Sequence, residues 1–254
     1  MNYSFANWCF AGLPDFDASS FYRNAREIGY SAVEMATENC RSAAAVADLV
    51  CLNMAAPGMQ VGVNRLEHHE SLVPQLLRAV EEAASNSIPA VIVFSGNRDG
   101  QPDAEGQHNC QLAFQEVLPV CEKLGVELHF EMLNSFEHQD YQADSMAYGL
   151  TLWQSIGHPQ FKLLYDVYHL ERMGGQPLND LKMYAEAIGH VHCAAVEGRS
   201  IITRNKGIDY RDVFSTLVAS NYHGYLGMEF VLPKGAVQSL ALEQLAESLR
   251  FLNC

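Results

Sequence analysis

The sequence predicts an α/β fold, a single (β/α)8 (TIM) barrel domain occupying residues 1–254. Three observations carry this expectation. Short apolar runs alternate with amphipathic segments eight times over, the pattern of strands joined by crossover helices and hence of a parallel sheet. A length of 254 residues suits one barrel, and no Pro/Gly-rich linker, low-complexity tract or internal repeat divides it. No GxGxxG follows any apolar run, which argues against a doubly wound open sheet.

The first strand is expected in "YSFANW" (3–8), followed by a helix over 18–28 that Gly29 ends. "SAVEM" (31–35) and a short helix near 41–49 come next, then "CLNMAA" (51–56) and a long helix over 69–86. "AVIVFS" (90–95) is apolar throughout, as a strand covered on both faces must be, and its helix, 106–124, stops at Gly125. "VELHFEM" (126–132), a helix over 144–156, "FKLLYD" (161–166) and a helix over 178–188 form the fifth and sixth units. "HVHCAA" (190–195) precedes a helix over 210–220 with Asp209 as its N-cap, and "YLGMEF" (225–230) with a helix over 236–252 completes the eight.

Composition narrows the function. With 48% hydrophobic and 18% charged residues the chain can bury a large core and shows no disorder signature. A formal charge of −14 without a basic run argues against nucleic acid or an anionic membrane as partner. No apolar stretch approaches the roughly 18 residues of a membrane helix, and the amino terminus lacks the charged and apolar regions of a signal peptide. Seven scattered cysteines (9, 40, 51, 110, 121, 193 and 254) without a CxxC pair suit reduced thiols, mostly small core residues, in a cytoplasmic protein.

Barrels of this kind place functional groups at the carboxyl ends of their strands. Side chains alternate along a strand, so Val126, Leu128 and Phe130 should face the helices while Glu127, His129 and Glu131 face inward. By the same parity Tyr225, Gly227 and Glu229 point inward, as do His190, His192 and Ala194, and Asp166 closes the sixth strand. Glu131, Asp166, His192 and Glu229 therefore come from four consecutive strands near one rim. Three carboxylates crowd there only if something neutralises them, and a divalent cation is the simplest neutraliser. Carboxylates with one imidazole favour Mn²⁺, Mg²⁺ or Co²⁺ over structural zinc.

"FEMLN", "LLYDVYH", "GHVHCAAVEGR" and "GMEF" resemble the metal and catalytic segments of the xylose-isomerase-like barrels, a family that includes hydroxypyruvate isomerases and ketose 3-epimerases. "FSGNRDG" is similar to a segment of the hydroxypyruvate-isomerase-like members. The resemblance covers essentially the whole chain and is most specific over 90–232. It implies that Glu131, Asp166, His192 and Glu229 are the metal ligands and that Glu131 and Glu229 also carry protons. The reaction it implies moves a proton between adjacent carbons of a small carbonyl or sugar substrate through an enediolate that the metal stabilises.

Further residues surround this set. His169 is expected in the loop beyond strand 6, where it could donate to a substrate oxygen. Arg199, just past strand 7, could hold a substrate carboxylate in a bidentate fork. Asn97 and Arg98 follow strand 4 at the same rim, and Glu34 ends strand 2 as either a substrate contact or a polar strand end. Trp8 and Phe10 after strand 1 could form an apolar wall, with core packing the preferred reading, and the pair His68 and His69 reads as solvated. Pocket depth depends on loops 9–16, 57–68, 96–106 and 197–208. Two patterns pull apart: "EGR" and "FSGNRDG" point to an isomerase of the hydroxypyruvate/tartronate semialdehyde type, although Glu197 stands where that segment usually has proline. Glu137, six residues after Glu131, has the spacing of a substrate-contacting glutamate in ketose 3-epimerases. The isomerase is the preferred expectation. A ketose 3-epimerase acting on free ketopentoses or ketohexoses is the alternative; behind it stand a dehydratase of the same fold, a non-catalytic sugar or metal binder, and a DNA-repair endonuclease, whose histidine-rich metal cluster and cationic surface are not evident here. A homo-oligomer is compatible with the sequence.

Overall fold

A computed structural model describes residues 1–204 and 207–253; residues 205 and 206 of the expected pocket loop 197–208, and Cys254, lie outside the described residues. In chain order the elements are β1 (Asn2–Ala6), α1 (Ala18–Ile28), β2 (Ala32–Glu34), α2 (Glu38–Val46), β3 (Val50–Cys51), β4 (Asn53–Ala55), α3 (Leu66–Ser85), β5 (Ala90–Val93) and α4 (Asp103–Leu124). They continue with β6 (Glu127–Glu131), α5 (Met146–Ile156), β7 (Phe161–Asp166), α6 (Val167–Arg172), α7 (Pro177–Met183), β8 (Ile188–Cys193), α8 (Tyr210–Ala219), β9 (Tyr225–Met228) and α9 (Gln238–Leu252). The strand order is β3-β2-β1-β9-β8-β7-β6-β5-β4, which is sequence order with the first strand beside the last, the order of a (β/α)8 barrel.

Two compact units make up the chain: Met1–Leu52 with Pro177–Ala185 and Val191–Cys254, and Asn53–Gln176 with Glu186–His190. In the first, β1 pairs in parallel with β2 and β9, setting Ala6 opposite Glu34 and Phe5 opposite Met228. Phe5 sends its ring outward into Phe10, Phe21, Tyr22 and Tyr30, with edge contacts to three of them at centroid separations of 5.5–5.8 Å. Burying each such ring contributes about 2–3 kcal/mol. The helix that supplies Phe21 and Tyr22, α1, starts where the Asp17 side chain accepts from Ser20 N–H and ends at Gly29, whose φ of 124° only glycine adopts readily. Asp209 caps α8 as the sequence suggests, accepting from Arg211 N–H.

In the second unit β4, β5, β6 and β7 pair in parallel. Phe130 of β6 packs against Phe114 of α4 and Phe161 of β7, so the expected helix-facing parity of this strand holds. Gly125 ends α4 in the left-handed region. After β4 and β5 two loops meet backbone to backbone: a Cβ on Gly62 would lie 1.9 Å from Ser95 O, and one on Gly96, whose φ is 101°, 2.5 Å from Gly62 Cα. Gly62→Ala should therefore cost about 3 kcal/mol, read as a lowered denaturant midpoint at constant m.

The structure corrects three expected elements. The strand expected over 51–56 is two short ones, because the backbone changes neighbours at Leu52: Leu52 N–H donates to Val33 O at 2.9 Å, whereas Ala56 N–H donates to Ile92 O at 2.9 Å. The helix expected to run to 188 ends at Met183, and β8 already begins at Ile188, since Gly189 lies flat where a Cβ would come within 2.6 Å of His129 Nε2. Directly after β7 comes α6, a helix the sequence reading lacked; Asp166 is its N-cap, accepting from His169 N–H at 3.2 Å.

Candidate active site and metal centre

In the first unit three side chains, those of Trp8, His192 and Arg199, gather around Glu229, the residue just past β9. Its backbone N–H donates to Cys193 O at 3.0 Å, which holds this strand end against β8. One carboxylate oxygen accepts from the Trp8 indole N–H at 2.8 Å. The other accepts from Arg199 at 2.5 Å and lies 3.2 Å from His192 Nδ1. Arg199 also stacks its guanidinium over the Trp8 ring, 5.3 Å from the centroid. Burial by itself would raise the pKa of Glu229. The charges of His192 and Arg199, with hydrogen bonds from His192 and Trp8, outweigh it and hold the carboxyl well below the usual carboxylate range. Glu229 is thus a carboxylate at neutral pH.

Trp8, which the sequence reading assigned to packing, donates its indole N–H to Glu229. It is 45% exposed, not core, while Phe10 two residues on is fully buried as expected. Glu34, at the end of β2, is fully buried; its oxygens accept from Ser4 Oγ at 2.7 Å and pair with His192 Nε2 at 2.8 Å. That placement makes it a neighbour of a ligand candidate.

The second unit contributes Glu131 and Asp166, both buried, at the ends of β6 and β7. The Tyr141 hydroxyl donates to Glu131 O at 2.9 Å and accepts from Ser95 N–H at 2.9 Å, tying two strand ends together. His169 is 1% exposed inside α6, not in an open loop. Its Nδ1 accepts from Asn134 N–H at 3.1 Å, so in the neutral ring the proton is on Nε2, 3.5 Å from Asp166 Oδ2. Glu137 is held by the Tyr168 hydroxyl and by Arg172 at 2.8 Å.

His192 and Glu229 in the first unit and Glu131 and Asp166 in the second are buried side chains that can each offer a metal ion one ligand atom. Other expected site residues are engaged elsewhere. Arg98 pairs with Asp103 at 2.5 Å and Asp144 at 3.7 Å and donates to Gln142 O at 3.3 Å, pinning the loop after β5 to the one before α5. Asn97 donates its N–H to Gln60 O and takes the Asn64 amide on its carbonyl, so both residues brace the loop framework. His68 and His69 are half-buried, not solvated, and bond Gly62 O and Val63 O. Among the described residues no helix is long and apolar enough to cross a membrane.

Residues 22–253 match the family model described as the xylose isomerase-like TIM barrel. The chain belongs to that family, and its fold class is the (β/α)8 barrel. It is 29% identical over 108 residues to a protein of Escherichia coli K12 named hydroxypyruvate isomerase, a segment that spans 42% of each chain. It superposes on the D-psicose 3-epimerase of Clostridium cellulolyticum H10 with a TM-score of 0.83 at 14% identity, over 100% of this chain and 98% of that one. The IOLI protein, solved with a zinc atom, is similar to it over 100% of this chain and 98% of its own, with a TM-score of 0.82 at 12% identity. These structural likenesses are of fold.

Proposed function

We propose that this protein is a divalent-metal-dependent isomerase of a small hydroxy-carbonyl acid, of the type that interconverts hydroxypyruvate and tartronate semialdehyde. The observation that carries the reading is the set of four buried ligand side chains from the ends of β6, β7, β8 and β9. Three carboxylates and one imidazole form a hard, oxygen-rich donor set that fits Mn²⁺, Mg²⁺ or Co²⁺. The cation, when bound, supplies positive charge where the substrate's two adjacent oxygens become negative. Glu131 and Glu229 are the proton carriers: a carboxylate takes the proton from the hydroxyl-bearing carbon and returns it to the neighbouring carbonyl carbon, while the hydroxyl proton passes between the oxygens. Arg199, beside Glu229, supplies the guanidinium that a substrate carboxylate requires. The naming of the Escherichia coli relative supports the same substrate class.

A ketose 3-epimerase is the second reading, favoured by Glu137, which Tyr168 and Arg172 fix as an acceptor suited to a polyhydroxy substrate. Proton exchange in deuterated water separates the two. The Mg²⁺-loaded protein should exchange carbon-bound hydrogen of hydroxypyruvate and leave ketopentoses and ketohexoses untouched, as followed by NMR. Exchange with the ketoses alone overturns the isomerase in favour of the epimerase.

A further inference from the structure

We infer that Glu34 is a positioning residue for His192: it fixes the imidazole so that Nδ1, and not Nε2, is presented to the cation. The inference rests on the metal reading above and concerns a residue outside the ligand set.

Glu34 is a fully buried carboxylate. A buried carboxylate is costly unless hydrogen bonds replace its water, and here the Ser4 hydroxyl and the His192 ring supply them at 2.7 and 2.8 Å. Ser4 reaches Glu34 because β1 and β2 run in parallel register with Ser4 opposite Ala32, one side-chain repeat before Glu34. A carboxylate only accepts, so the hydrogen between Glu34 and the ring belongs to Nε2. A ring that ligates a cation gives up its other proton, so in the loaded protein the lone pair is on Nδ1, and Nδ1 lies 3.2 Å from Glu229 Oε2, on the ligand side. A carboxylate behind a histidine in this manner fixes the tautomer and ring orientation and raises the basicity of the coordinating nitrogen. If Glu34 merely filled a strand end, neither the metal affinity nor the tautomer would depend on it.

The test uses the full chain, stripped of metal, in wild-type, Glu34→Gln and Glu34→Ala forms. Mn²⁺ binding is measured by calorimetry, and the ring nitrogens of His192 by ¹⁵N NMR of the Mg²⁺-loaded protein. Glu34→Ala should weaken Mn²⁺ binding by about 10–100-fold. Glu34→Gln, whose amide oxygen can still accept from Nε2–H, should lose less, and loaded wild-type protein should carry its His192 proton on Nε2. Unchanged Mn²⁺ affinity in folded Glu34→Ala, or a proton on Nδ1 in loaded wild type, overturns the inference. If Glu34→Ala does not fold, the wild-type tautomer and the Glu34→Gln affinity still decide. A wild-type protein that binds no Mn²⁺ overturns the metal reading together with this one, whereas equal binding by wild type and Glu34→Ala removes only the role of Glu34.

Discussion

Glu229→Gln is expected to lower substrate-dependent proton exchange by about 10³-fold, the scale on which a positioned acid–base group contributes. Glutamine has nearly the same shape and keeps an oxygen for either Trp8 or Arg199, so the side chain need not leave its place. What it loses is charge and basicity. In the native protein two cationic neighbours stabilise the ionised form of Glu229. An amide there cannot accept a carbon-bound proton at any accessible pH, and it leaves the Arg199 guanidinium without its carboxylate. The variant should be assayed at saturating Mg²⁺, with metal binding measured separately, because Glu229 is also proposed as a ligand. A loss that excess Mg²⁺ repairs would assign Glu229 to metal binding alone. Glu131→Gln is expected to behave alike, and a fully active variant at either position would strip that residue of its proton-carrying role.

The carboxylates at strand ends were readable in the sequence because two simple regularities converge on them. A strand repeats every two residues, so the parity of Val126, Leu128 and Phe130 fixes that of Glu131, and barrels concentrate chemistry at one end of their strands. The packing of Phe130 on Phe114 shows the parity rule at work. Features that depend on distant partners left no such trace. The indole of Trp8 looks like any core aromatic until Glu229, 221 residues away, is found on its N–H. The pairs of Arg98 with Asp103 and Asp144 join segments whose proximity the sequence does not display. Short elements were lost for another reason. The six residues of α6 hold fewer than two turns, too few for a 3.6-residue period to register, and so His169 appeared to lie in a loop. Gly189 reads locally as a helix stop, whereas only the side chains of His129 and Lys162 beside it explain a glycine inside a strand.

Removal of divalent metal should abolish exchange, and addition of Mn²⁺, Mg²⁺ or Co²⁺ should restore it. The expectation follows from charge. Carboxylates gathered around one ion, with oxygens roughly 4–5 Å apart, would repel by about 3–4 kcal/mol per pair at an effective dielectric of about 20, and a cation offsets that repulsion with attraction. Arg199 and His192 moderate the charge on Glu229, but they do so by occupying the oxygen that lies toward the ligand histidine. Metal binding must therefore compete with the Arg199 pair, and the freed guanidinium becomes available to a substrate carboxylate. Loading should also stabilise the fold, by about 2.7 kcal/mol at a free metal concentration of 100 times Kd. For a chain of this size that is a rise of roughly 5–10 °C in Tm, measurable by calorimetry without any substrate. Protein freed of metal by a chelator that kept both its Tm and its exchange activity would rule out a cation at these four side chains, and with it the proton chemistry assigned to them.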